Sequence, residues 1–150
     1  MKYTFQTNKL QSFFRVLLGA FMVLAAVGHF TFLRLEFQTQ VPNWLPLSKD
    51  LIVILSGIVE LFLGLSMIFW TRKKIRVGFA LPIFYVLIFP GNIAQYINHT
   101  NAFGLNSDKA RFIRLLFQPV LILWALWSTV ALQWLLARGR RNLADSASKN

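Results

Sequence analysis

From Leu51 to Trp70 run twenty residues in which Glu60 is the one charge. Twenty helical residues rise about 30 Å, enough to cross the hydrocarbon core of a bilayer. A carboxylate at the centre of such a segment costs at least about 2.5 kcal/mol on insertion scales, so the folded protein must offset that cost. Whatever partners Glu60 finds are therefore the first lead to function.

Three other stretches reach the same length, giving predicted spans at about 12–33, 51–70, 77–97 and 111–137, followed by a polar basic tail over 138–150. The third is the weakest, because Pro82, Pro90 and Asn92 interrupt it. The first continues past the cleavage-like Val23-Leu24-Ala25 to Leu33, too long for the apolar core of a simple signal peptide. The chain is 56% hydrophobic and 14% charged, against about 25% charged residues in soluble domains. The expected fold is all-α, an integral membrane four-helix bundle forming a single transmembrane domain.

The formal charge of +11 does not point to nucleic acid, because the basic residues lie between and beside apolar runs and not as a stripe on a soluble fold. They read as topology signals. The N-terminal arm, the 71–76 turn and the C-terminal tail hold eleven of the sixteen lysines and arginines. Four spans put these segments on one side, so the positive-inside rule predicts both termini in the cytoplasm. Cysteine is absent, which removes disulfides, thiol redox chemistry and thiolate metal sites.

Several polar residues fall inside the spans. Ser56, Gly57, Glu60 and Gly64 share one helical face, where small residues admit a neighbouring helix and turn Glu60 into the bundle. Arg111, Arg114 and Gln118 line one face of the fourth span. Arg111 is expected at the membrane surface with its side chain reaching water. Arg114 either snorkels to the outer headgroups or pairs with Glu60, and Glu60 unpaired would be a protonated carboxyl. Pro90-Gly91 is expected to break or bend the third span near Asn92, with Gln95 extending the polar face. His29 lies near the outer end of the first span. His29 and His99 sit on different segments with no acidic ligands at matching spacing, so no metal site is expected. His29, Glu60, Asn92, Arg114 and Gln118 together imply a polar pocket inside the bundle. The outer segment Val41-Pro42-Asn43-Trp44-Leu45-Pro46 either covers it as a lid or anchors at the interface through Trp44.

Gly28-His29-Phe30, Val41-Pro42-Asn43-Trp44-Leu45-Pro46, Ser56-Gly57-Ile58-Val59-Glu60-Leu61, Phe89-Pro90-Gly91-Asn92-Ile93 and Arg114-Leu115-Leu116-Phe117-Gln118, then Trp124-Ala125-Leu126-Trp127, follow in an order and spacing that resembles the DoxX-like family of small membrane proteins. The resemblance covers about residues 12–130. It implies a four-helix bundle in the bacterial inner membrane, related to the small subunit of an archaeal thiosulfate:quinone oxidoreductase. Where the family commonly has proline after Arg-Leu, this chain has Leu116, with Pro119 nearby.

Three functions compete. The first is an auxiliary subunit of a membrane redox system that binds a quinone-like lipid, with electrons supplied by a partner because no heme, flavin or iron–sulfur pattern is present. The second is a non-enzymatic scaffold or assembly factor that docks another membrane protein or a second copy of itself. The third is a small permease, disfavoured because no inverted repeat is visible in the chain. No catalytic nucleophile with an adjacent base is evident.

Overall fold

The computed structural model describes residues 5–147; Lys2 and Lys149, counted above for orientation, lie outside them. Among the described residues there are six α-helices and no strands: α1 (Lys9–Phe30), α2 (Arg34–Gln40), α3 (Lys49–Phe69), α4 (Lys74–Ile97), α5 (Asp108–Ser128) and α6 (Ala131–Ala147), with a 3-10 turn at Thr71–Lys73. Four of them are long and apolar enough to cross a membrane: α1, α3, α4 with its preceding turn, and α5.

Their starts follow from capping chemistry. Asn8 and Gln11 form a reciprocal capping box on α1, while Ser48 and Ser107 cap α3 and α5 through Leu51 N–H and Ala110 N–H. In α4 the helix continues through both Pro82 and Pro90. The expected break at Pro90-Gly91 is absent. A proline removes one hydrogen bond, and packing against neighbouring helices makes that loss tolerable in an apolar bundle.

The fourth predicted span also differs. Its 111–137 stretch is two helices, because α5 ends at Ser128 and α6 begins at Ala131. Thr129 Oγ1 turns back to donate to Ala125 O at 2.7 Å, and Val130 adopts φ +57°, a conformation β-branched residues rarely take. Both residues are fully buried, so packing holds the bend in place. The predicted basic tail is consequently helical through Ala147.

The long helices form two close pairs, α1 with α3 and α4 with α5, joined by sparser α1–α5 and α3–α4 contacts. Within the first pair, Gly19 and Gly64 meet backbone to backbone. A Cβ on Gly19 would lie 2.8 Å from the carbonyl oxygen of Gly64, and one on Gly64 would lie 2.9 Å from that of Gly19. Leu18, Met22, Met67, Leu81 and Tyr85 make up much of the buried core between the pairs. Outward-facing Phe13, Leu24, Phe62, Leu87 and Leu123 remain exposed, an apolar exterior suited to hydrocarbon and not to water.

Arg15 is buried inside this bundle, although it falls among the basic residues of the N-terminal arm in the sequence. It donates to the carbonyls of Met67 and Ile68 at the end of α3. Those carbonyls have no intrahelical partner and carry the negative end of the helix dipole, so a cation is the group that fits there.

Candidate functional site

A cavity of about 410 Å³ opens between the two helix pairs, toward the end that carries α2. His29, Glu60, Asn92, Arg114 and Gln118 all line it. They do not form one cluster; they fall into three hydrogen-bonded groups on its walls.

The first group belongs to α1 and α3. His29 Nε2 lies 3.2 Å from Glu60 Oε2, and both side chains are about nine-tenths buried. His29 Nδ1 is 3.0 Å from Val53 O. A carbonyl only accepts, so Nδ1 carries a proton and donates it. Nε2 is then the ring nitrogen that faces Glu60 Oε2. Gly57 makes this approach feasible, since a Cβ there would lie 2.8 Å from His29 Cβ. Ser56 Oγ donates to Val53 O at 3.0 Å and stands 3.3 Å from His29 Nδ1. The Glu60–Arg114 pair considered from sequence is not formed: the partner of Glu60 is His29. Glu60 Oε2 makes no aligned hydrogen bond, although it is fully buried.

The second group belongs to α4 and α5. Asn92 Nδ2 donates to Gln118 Oε1, and Gln118 Nε2 donates to Tyr85 O. This amide relay ties the two helices together at the cavity wall.

The third group is a chain through α2. Arg114 Nη2 donates to Gln40 Oε1 at 3.2 Å, Gln40 Nε2 to Gln95 Oε1 at 2.5 Å, and Gln95 Nε2 to Ala102 O at 3.4 Å. The guanidinium also stacks 4.2 Å above the Phe103 ring. Arg114 therefore neither snorkels outward nor meets Glu60; it is used in pinning the outer connections. Arg111, expected in water, is buried and donates to Asn101 Oδ1, Leu105 O and Asp108 Oδ1. His99, the other histidine, lies apart at 2.7 Å from Asp108 Oδ1.

The cover over the cavity is the short helix α2 as well as the segment after it. Phe37 stacks on His29 with ring centroids 3.6 Å apart, and meets Phe103 edge-on at 4.8 Å. Glu36 Oε2 accepts from Phe103 N–H. Val41, Pro42, Trp44 and Leu45 continue the lining. Phe37, Gln40 and Phe103 were missed in the sequence. The spacing of Leu33, Phe37, Gln40 and Val41, at four, three and one, carried the helical signal for the first two. Phe103 had no such signal, since its ring is turned inward by positive φ at Phe103 and Gly104.

Asp50 anchors the cover to α3. It accepts from Arg34 Nε and Nη2 at 2.8 and 2.7 Å and from Gln38 Nε2 at 2.6 Å. The hydrogen bond to Asp50 raises the Arg34 guanidinium above its ordinary value, with the direct attraction between the charges adding to it. The pair is half exposed, so water and salt screen it. Asp50→Asn should raise amide exchange across 34–40 by about two- to fivefold and leave the global unfolding midpoint nearly unchanged. Hydrogen-exchange mass spectrometry reads this directly, and unaltered exchange over α2 would show that the anchor lies elsewhere.

No curated protein and no solved structure matches this chain. A family model described as "Domain of unknown function (DUF8561)" matches residues 18–129, which takes in α1 from Leu18, the cover, α3, α4 and α5 and thus every wall of the cavity. The chain belongs to that family.

Proposed function

We propose that this protein is a multi-pass subunit of the bacterial inner membrane, with both termini in the cytoplasm, that holds the polar head of a quinone-like lipid in the cavity beneath α2. In this reading it serves a redox system whose electron carriers reside in a partner protein. The observation that carries the proposal is Glu60, a buried carboxyl whose Oε2 makes no aligned hydrogen bond, in a cavity where aromatic and aliphatic side chains surround a few polar groups, His29, Gln40, Asn92, Arg114 and Gln118 among them. A volume of about 410 Å³ lies within the range of small-molecule sites. The resemblance to DoxX-like proteins points to the same chemistry.

The residues fit such a head. Glu60 Oε2, paired with His29, would bind one oxygen of the ring and hold a proton there. Phe37 and Phe103 supply flat apolar surface, and α2 excludes water from above. When bound, a quinone supplies reversible two-electron, two-proton chemistry.

Two substitutions test this. Glu60→Gln keeps shape and can donate to His29 Nε2, so stability should change by less than about 1 kcal/mol. Glu60→Leu leaves that nitrogen unpaired and should cost about 1–3 kcal/mol. Extraction and mass spectrometry of the native protein, purified in mild detergent, should find quinone. Glu60→Gln should retain at most about a tenth as much. Absence of quinone from the native preparation, or equal retention by Glu60→Gln, would overturn the assignment.

A further inference from the structure

The end of the bundle opposite the cavity collects most of the basic residues. Gly78 of α4 abuts Thr129 and Ala131, Lys74 Nζ donates to Thr7 Oγ1 at 3.2 Å, and Gln11 Nε2 donates to Trp127 O at 3.0 Å. These contacts bring the N-terminal arm, the Thr71–Lys73 turn and α6 to one end. Three of the five acidic residues, Glu36, Asp50 and Asp108, lie at the other end, Glu60 is inside, and the fifth, Asp145, follows Arg141 by four residues in α6, whose Arg138, Arg140 and Arg141 outnumber it.

The helix α6 is two-faced. Trp134, Arg138 and Arg141 follow at spacings of four and three and share one face. Leu132, Leu136 and Leu143, at four and seven, lie on the opposite one. Arg138 stands 5.2 Å over the Trp134 ring, and Phe79 holds that ring edge-on at 5.5 Å. Phe5, Trp134, Arg138, Arg141 and Asn142 bound a second cavity of about 300 Å³. Leu136 and Leu143 are 57% and 71% exposed.

We infer that α6 lies along the membrane surface and that its arginine face, with the cavity beside Trp134, binds the phosphate of an anionic phospholipid. The inference depends on the membrane-spanning reading of the bundle and is independent of any quinone. Charge complementarity selects the headgroup, and the leucine face supplies an insertion surface for acyl chains. A nucleic acid or an acidic protein would match the arginines and leave Leu136 and Leu143 in water.

Native mass spectrometry of the whole chain, with phosphatidylglycerol and phosphatidylcholine offered at equal amounts, tests it. The native protein should retain phosphatidylglycerol preferentially. Each arginine neutralised should lower that preference about fivefold, so Arg138→Gln with Arg141→Gln should nearly abolish it. Lys109→Gln, at the far end, should leave it intact. Glycerol phosphate at the same concentration should not displace the lipid. Equal retention of the two lipids by the native chain, an unchanged preference in the double variant, or displacement by glycerol phosphate would each overturn the inference. Circular dichroism of the double variant confirms that α6 is still folded when the preference is read.

Discussion

Alanine at Gly64 should lower the unfolding free energy by about 2 kcal/mol, and alanine at Gly19 by a similar amount. In both cases the new methyl would meet a backbone oxygen at under 3 Å, at 2.9 Å for Gly64 and 2.8 Å for Gly19. A backbone oxygen cannot rotate away as a side-chain tip can. The helices must separate instead, and the α1–α3 contact is the most extensive in the bundle. Separation loosens what lies further along the same interface, so His29 should withdraw from Glu60 as stability falls. Gly139 provides the control: nothing lies within 4 Å of a Cβ built there. Gly139→Ala should be neutral or slightly stabilising, because alanine favours helix. Thermal unfolding of the three variants in one detergent checks the set, and a Gly64→Ala protein as stable as Gly139→Ala would refute the close approach.

The larger local disruption is expected at Gly78. A Cβ there would overlap Thr129 Oγ1 and lie 2.7 Å from Thr129 Cβ. Thr129 has no room to yield, since it is fully buried and its hydroxyl is bound to Ala125 O at 2.7 Å. Gly78→Ala should therefore cost about 3 kcal/mol and should unseat α6 from α4. Thr129→Ala removes the worse of the two clashes, so Gly78→Ala should cost clearly less in that background. The double-mutant cycle measures this coupling. Additive effects would mean that the bend after α5 does not rest on this contact.

The apolar runs and their lengths were legible because hydropathy depends on the residues alone. The face carrying Gly57, Glu60 and Gly64 was also legible, since helical periodicity places the three together whatever they pack against. Which helix they meet was not. Arg114 stood on the fourth span with a suitable charge at a suitable depth, whereas the partner is His29, and only the third dimension brings the end of α1 against Val53 and Glu60. The stop after Ser128 was invisible because Thr129 and Val130 are apolar or β-branched and neither Gly nor Pro marks the turn. The role of Arg15 escaped for a related reason: charge was read as a topology signal, and the carbonyls it satisfies belong to a helix end more than fifty residues away.

The division of the long helices into two tight pairs has a mechanical consequence. Each pair is closed by its own polar contact, His29 with Glu60 in one and Asn92 with Gln118 in the other. The two pairs meet through sparser contacts than those within each, and the cavity lies between them. A molecule lodged there touches both pairs at once and becomes the strut that fixes their spacing. A ligand that binds only the folded bundle adds its binding free energy to the stability, so at equal concentration whatever occupies the cavity most tightly will also be what makes the protein hardest to unfold.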